Sequence, residues 1–424
     1  MPNITNDYRV DAVLAGSDIR WNPTTPGGST VTVTYSFMSA LPSYADPAVD
    51  GNNFSVMTND QKVAVREILT TLASHFNLVF TEVTDTASTY GQLRFGNNLQ
   101  TESVGYAYYP DQSTGDTAGD LYINNGADAA QTANVIKGTN AYSTLIHEIG
   151  HTLGLKHPGN YNATSSPDDP GTTEGPYLTG VEDSELYSIM SYTTQSQGLE
   201  RINLGPYDYA ALSYLYNAKL VNTGDDTYRL TDQSGHFVQT IYDDGGVDTL
   251  NASNVTVPVT LNLNVAAPGT LSSVGVTPDS EPAQDNLSIG LNSVIENAIG
   301  GLNDDKLIGN SSDNTLTGNN GNDTLVGQLG NDVLSGGNGF DIFGLANVGH
   351  YRFQDFVPGA DKVAFDTQLG LNNFDQLAPF ITSIEAAGND VVVHFVDDIA
   401  SITFTGVLLQ STALSVNDVI FTAL

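Results

Sequence analysis

Residues Ala141–His157 read AYSTLIHEIGHTLGLKH. His147, Glu148, His151, Gly154 and His157 stand there in the spacing H-E-x-x-H-x-x-G-x-x-H. On a helix, His147 and His151 are four residues apart, so both imidazoles leave one face about a turn apart. Neutral imidazoles so placed can bind one zinc ion, and Glu148 beside them can hold a water that zinc has acidified. Gly154 is where such a helix ends, because glycine tolerates the left-handed backbone that turns the chain back. The turn brings His157 to the same metal from another direction. Three histidines leave a fourth position open for water, as a catalytic zinc requires. A helix with three unrelated surface histidines would leave this long spacing unexplained.

Downstream, Ser188–Tyr192 read SIMSY. The long motif with this turn resembles the metzincin metalloproteases, whose Met-turn lies beneath the metal. Tyr192, two residues after Met190, marks the serralysin and astacin branches. The resemblance implies that this tyrosine approaches the zinc, then swings away to stabilise the oxyanion. It gives Met190 a structural role only. HPGNYNA at His157–Ala163 and DAVLAGSDIRW at Asp11–Trp21 also resemble serralysin segments.

The chain has 424 residues, 40% hydrophobic, which is long enough for two domains with their own cores. Thirteen Lys+Arg stand against 48 Asp+Glu, a formal net charge of −35. That balance argues strongly against nucleic acid and anionic membrane as partners. Zero cysteines removes thiol chemistry and disulfides, so an extracellular chain needs another staple, and calcium is the candidate. No apolar run is long enough to span a bilayer. The start, MPNITNDYRVDAV, lacks the charged-then-apolar form of a signal peptide.

Val31–Phe37 alternates as a half-buried strand. Thr58–Phe76 reads as a helix opened by Asn59 and Asp60, with Val63, Ile68, Leu69, Leu72 and Phe76 at helical spacing. Leu78–Val83, Gln92–Phe95 and Asp120–Asn124 are further strands, and Tyr207–Tyr216 is a final helix. Serralysin resemblance makes Asp120–Asn124 a sheet edge that pairs with extended substrate; by itself it reads as an ordinary strand. Residues 160–187 are a Pro-, Gly- and Asp-rich loop.

From residue 300 the sequence repeats in nines. Glycine opens each unit at Gly300, Gly309, Gly318, Gly327 and Gly336. The sixth position holds Asp305, Asn314, Asp323, Asp332 and Asp341, and the eighth Leu307, Leu316, Leu325, Leu334 and Phe343. This is the calcium-binding RTX pattern, which builds a parallel β-roll. Glycines permit tight turns with inward carbonyls, and aspartate supplies a hard oxygen. Same-side turns are then 18 residues apart, with calcium between Asp305 and Asp323, Asn314 and Asp332, and Asp323 and Asp341. Asn314 offers a neutral oxygen, so the second of these is the weakest site or empty. Gly301, Asn303, Gly321, Gly330 and Gly339 complete the repeat-turn ligand set with the opening glycines.

Thr240–Ser253 and Val294–Gly301 resemble serralysin segments that hold non-repeat calcium. Carried over, Asn222, Gly224 and Thr227 join Asp243, Gly245 and Asp248 at one ion. Gly246, Asp248, the Val294 carbonyl and Glu296 hold a second. Asn222 and Val294 depart from the family residues, though both act as carbonyl donors. Gln354–Phe365 resembles the strands that close the roll. Asp418–Phe421, DVIF, reads either as a final strand or as the C-terminal signal of type I secretion substrates.

The expected architecture is an α+β metzincin zinc-metalloprotease domain over residues 1–220. An all-β parallel β-roll follows over 221–424. The resemblance implies a secreted zinc endopeptidase with one catalytic Zn²⁺ and several structural Ca²⁺. His147, His151, His157 and at times Tyr192 bind zinc, and Glu148 is the general base. Implied partners are protein substrates, the type I secretion machinery and a small proteinaceous inhibitor. Repeat-type sites bind calcium at roughly 10⁻⁴–10⁻³ M, so they fill outside the cell. A non-catalytic RTX adhesin, or a toxin or inhibitor partner with structural zinc, fits parts of the pattern. Intact Glu148 and Tyr192 argue against the first. An open fourth metal position argues against the second.

Overall fold

The computed structural model describes residues 4–24, 29–126, 134–161, 175–194, 197–407 and 415–424. Pro26, Gly27, Gly28, Asn162, Ala163 and much of the 160–187 loop lie outside them. Two units separate: Met1–Val221 with Phe237–Thr240, and Asn222–His236 with Ile241–Leu424.

The first unit begins with a short helix, α1 (Tyr8–Val13), capped by the Asp7 carboxylate. Strand β1 (Val31–Phe37) follows, burying Val31, Val33 and Tyr35 on one face and exposing Thr32 on the other. In α2 (Asn59–His75), Thr58 and Gln61 form a reciprocal capping box. Its buried stripe is Gln61, Ala64, Val65, Ile68, Leu69 and Leu72. Val63, expected on that stripe, is instead 62% exposed. It sits two residues after Gln61, which turns it to the opposite face of the helix. Strands β2 (Leu78–Glu82), β3 (Leu93–Asn98), β4 (Gly105–Ala107) and β5 (Asp120–Asn124) complete a sheet in the order β2-β1-β3-β5-β4. All neighbours are parallel except β4, which runs antiparallel to β5.

That order corrects the sequence expectation. Asp120–Asn124 is flanked by β3 and β4, so it is internal, and the edge on that side is Gly105–Ala107. The edge strand has three residues and no apolar alternation, so it leaves no periodic signal in the sequence. Helix α3 (Asn140–Thr152) packs against β4 and β5, and α4 (Pro206–Tyr216) packs on α1.

The second unit is built from two largely parallel sheets of nine and six strands. Asn297–Ile299, Thr315–Asn320 and Asn331–Asn338 lie in one; Lys306–Ile308, Thr324–Val326 and Ile342–Leu345 lie in the other. Ala298 pairs with Leu316, Leu316 with Leu334, Leu307 with Leu325, and Leu325 with Phe343. Each step is 18 residues, so alternate nonapeptides stack on the same side. Leu307, Leu316, Leu325, Leu334 and Phe343 are wholly buried in one apolar core between the sheets. His350–Phe353 and Lys362–Asp366 extend the two sheets, and Val419–Thr422 pairs in parallel with the latter. The DVIF segment thus contributes the closing strand of the six-stranded sheet. Among the described residues, no helix is long and apolar enough to cross a membrane.

Candidate metal centre

Thr139 caps α3 by accepting from the Tyr142 N–H. At the other end Gly154 adopts φ +103°. A β-carbon there would lie 2.1 Å from the Ile19 carbonyl oxygen, so only glycine fits this turn. The reversed chain is held by Ala15 N–H to Gly154 O and Lys156 N–H to Val13 O, at 3.0 and 2.7 Å. Gly154→Ala is expected to destabilise the first unit by more than about 1 kcal/mol. Thermal denaturation checks this, and an unchanged melting temperature would refute the role of the turn.

This reversal brings His157 Nε2 to 3.1 Å from both His147 Nε2 and His151 Nε2. The three form a cluster whose ligand atoms surround one point. His147 Nδ1 donates to Ile189 O and His151 Nδ1 donates to Leu155 O, each at 2.8 Å. A carbonyl only accepts, so the proton sits on Nδ1 and the Nε2 lone pairs face one another. Burial, then the neighbouring His157, pushes His147 down to about 3, and the same causes hold His151 well below the usual histidine range. Both therefore stay neutral at physiological pH, as metal ligation needs. The donor set and its shared focus fit a transition-metal ion.

Glu148 is 4% exposed and lies between α3 and the edge strand. A β-carbon on Gly105 would sit 2.9 Å from Glu148 Oε1, so β4 carries glycine where the glutamate passes. Met190 is fully buried; its Sδ would lie 2.8 Å from a β-carbon on Gly150 of α3. The Met-turn thus closes directly on the histidine helix. Asp208 of α4 pins that turn, accepting from Ser188 Oγ at 2.6 Å and from the Ile189 and Gly205 N–H groups at 2.7 Å. Burial pushes its carboxyl up to about 6, against these hydrogen bonds. Tyr192 is 54% exposed, its ring centroid 4.3 Å from His157 and 5.9 Å from His147.

In the second unit, carboxylates 18 residues apart meet as the repeat requires. Asp323, Asp332 and Asp341 accept through Oδ1 from the N–H of Asp305, Asn314 and Asp323, at 2.8–2.9 Å. The Oδ2 atoms of Asp323 and Asp332 are buried and accept no hydrogen bond. Such orphaned oxygens fit a cation. Gly300, Gly318, Gly327 and Gly336 leave no room for a β-carbon, which would fall 2.2–2.6 Å from the Oδ2 of their own unit's aspartate. Gly301 N–H donates to Asp305 Oδ2, and Gly321, Gly330 and Gly339 press on Asn303, Ser312 and Gly321 of the preceding same-side turn. Asn314 behaves differently: its Nδ2 donates to Glu296 O at 2.9 Å and to Asn310 Oδ1 at 3.1 Å. Its Oδ1 takes the place that Oδ2 holds in the other units, 2.2 Å from a β-carbon on Gly309, and accepts from Asn310 N–H at 2.8 Å, so this turn offers a neutral oxygen where the others offer a charged one.

Nearer the start of this unit, carboxylate oxygens of Asp226, Asp243 and Asp248 lie within 4.8 Å of one another, with Asp248 Oδ2 buried and accepting no hydrogen bond. Glu296 Oε2 accepts from Asp248 N–H, Gly245 N–H donates to Asp243 Oδ1, and Gly246 abuts Gly224 O. Thr227 begins the adjoining strand, whereas Asn222 Nδ2 donates to Tyr242 O, and the Val294 side chain is 44% exposed. Sequence reasoning missed Asp226, whose only signal is the doubled acid in NTGDD. It also missed Asp361, which accepts from Asp341 N–H at 3.0 Å and continues the repeat column one turn further. The G-A-D triplet before it was the available signal. Asp208 and Gly105 had none, since both act through partners distant in sequence.

A mostly parallel sheet carrying a buried three-histidine helix over a Met-turn defines a metallopeptidase fold, and the stacked nonapeptides define an appended parallel β-roll. Known proteins match both parts. A profile described as Peptidase M10 serralysin C terminal matches residues 214–421, and one described as Metallo-peptidase family M12 matches residues 31–203. The chain is similar to Serralysin C of Dickeya chrysanthemi, 32% identical over 336 residues, which is 72% of this chain and 65% of that one. Metallopeptidase AprA of Pseudomonas marginalis is 32% identical over 309 residues, 66% of this chain and 61% of that one. Serralysin of Proteus mirabilis is 31% identical over 323 residues, 69% and 62% of the two chains. The chain thus spans less than two thirds of the length of each relative. It belongs to the serralysin family of metallopeptidases.

Proposed function

We propose that this chain is a secreted zinc endopeptidase whose C-terminal roll folds on calcium. The observation that carries the reading is the convergence of three Nε2 atoms within 3.1 Å contacts, beside a buried glutamate and a sheet edge. His147, His151 and His157 hold the zinc. When bound, zinc supplies a Lewis acid and lowers the pKa of a water to about 7.

The protein's own groups do the rest. The residues flanking β4 bond towards β5: Val104 O accepts from Asn124 N–H, Tyr108 N–H donates to Asp120 O, and Tyr108 O accepts from Gly119 N–H just before that strand. In an antiparallel pair such contacts alternate, so the backbone groups of Gly105 and Ala107 point away from β5. An extended peptide adds there as a further strand, with its scissile carbonyl beside the histidines. Glu148 takes the proton of the attacking water and delivers it to the leaving amine. Tyr192 donates its hydroxyl to the developing oxyanion. Met190 and Asp208 hold the floor.

Calcium ions sit between Asp305 and Asp323 and between Asp323 and Asp341, with a further site at Asp226, Asp243 and Asp248. Asn314 offers only a neutral amide oxygen opposite Asp332, so that turn is the weakest of the repeat sites. Binding only the folded roll, calcium stabilises it by mass action. The roll's low-affinity sites suit export of an unfolded chain by a type I pathway and folding outside the cell.

Tyr192→Phe tests the oxyanion assignment. It is expected to lower kcat by about 10–100-fold with zinc content unchanged. A variant that turns over at the parent rate would remove Tyr192 from the scheme.

A further inference from the structure

Four residues after His157, the chain folds Tyr161 back over itself. A β-carbon on Gly159 would meet Tyr161 Cε1 at 2.3 Å and Asp183 Oδ2 at 2.4 Å, so the H-P-G-x-Y sequence carries glycine where this ring returns. The Tyr161 hydroxyl donates to the Asp183 carboxylate and accepts from the Tyr192 N–H at 3.1 Å. Ser191 Oγ lies 3.1 Å from the same hydroxyl and donates to Asp183 Oδ1 at 2.8 Å. Above this polar clamp, the Tyr161 and Tyr192 rings stack at 4.8 Å with 16° between their planes. The Tyr192 ring also lies 4.3 Å from His157, and the Tyr161 ring is 6.1 Å from the same histidine.

We propose that Tyr161 is a positioning residue for Tyr192, held in place by Asp183 and Gly159. Exposed tyrosines reorient freely, and Tyr192 is half exposed. A stacked partner plus a fixed backbone N–H favours the ring position beside His157 over the others open to an exposed side chain. Tyr161 touches neither substrate nor metal in this scheme. It acts through Tyr192, and the inference rests on the reading of Tyr192 given above.

The test is a double-mutant cycle between Tyr161→Leu and Tyr192→Phe, with ¹³C-labelled tyrosine spectra of the metal-free proteins. The Tyr192 ring signal is identified by its absence in Tyr192→Phe. It should lose its ring-current shift in Tyr161→Leu, a readout independent of activity. In the zinc enzyme, Tyr161→Leu should lower kcat about tenfold, with KM and zinc affinity unchanged. In the Tyr192→Phe background it should cause no further loss. An unmoved Tyr192 signal, or losses that simply multiply, would overturn the proposal. If the signal moves but Tyr192→Phe keeps the parent kcat, the positioning stands and the oxyanion role of Tyr192 falls. Should Tyr161→Leu fail to fold, Tyr161→Phe keeps the ring and removes the hydroxyl clamp. The same non-additivity with Tyr192→Phe is then required.

Discussion

Glu148→Gln is expected to lower kcat by about 10²–10⁴-fold while one zinc per chain is retained. The substitution keeps the shape of a side chain that lies between α3 and Gly105, so packing against the edge strand survives. It removes only the ability to take a proton. The histidines hold the metal without it, because their Nδ1 atoms are anchored by Ile189 O and Leu155 O. Zinc content by elemental analysis and turnover of an unstructured protein, measured on the same preparation, check both halves. Full activity in the variant would sink the mechanism. Loss of zinc alongside activity would make Glu148 a structural support of the metal site.

Calcium removal should have the second large effect, confined to the C-terminal unit. At about a hundredfold excess over Kd, each ion bound only by the folded roll adds about 2.7 kcal/mol. Chelation should therefore lower the melting temperature of the roll by well over 5 °C, roughly the shift expected from a single site. The pH dependence should invert as well. Burial pushes Asp305 and Asp341 up to about 6 and Asp323 and Asp332 up to about 7. Unfolded, these carboxyls titrate near 3.9. The calcium-free folded roll thus binds more protons than the unfolded chain between those values. Their contribution is fully present below about pH 4 and is lost as pH rises towards 7. In chelator, the melting temperature should fall from pH 5 to pH 8. In excess calcium the ionised carboxylates are ligands, and it should rise over the same range. Calorimetry under the two conditions decides this; parallel trends would show that the aspartates do not hold the ion.

Much of this was legible because local spacing encodes it. Four residues between His147 and His151 fix one helix face, and Gly154 fixes where the chain turns. Nine-residue periodicity places Leu307 over Leu325 and Asp305 over Asp323 without further information. The illegible parts depend on neighbours remote in sequence. Gly105–Ala107 became the sheet edge because it reverses beside β5, and three residues carry no period. Asp208 supports the Met-turn from 20 residues away, yet in sequence it is only an acid in the first turn of a helix. Val63 shows the converse limit: an apolar residue near the right spacing faced solvent, because the stripe was set by Gln61, Ala64 and Ile68.

The central claim is that His147, His151 and His157 hold a zinc that drives peptide hydrolysis. Its most direct test is cleavage of an unstructured protein by the calcium-folded chain, before and after 1,10-phenanthroline and again after zinc is restored. Cleavage that stops with the chelator and returns with zinc is the predicted result. Cleavage that persists in metal-free protein, or none with zinc bound and the roll folded, would contradict it.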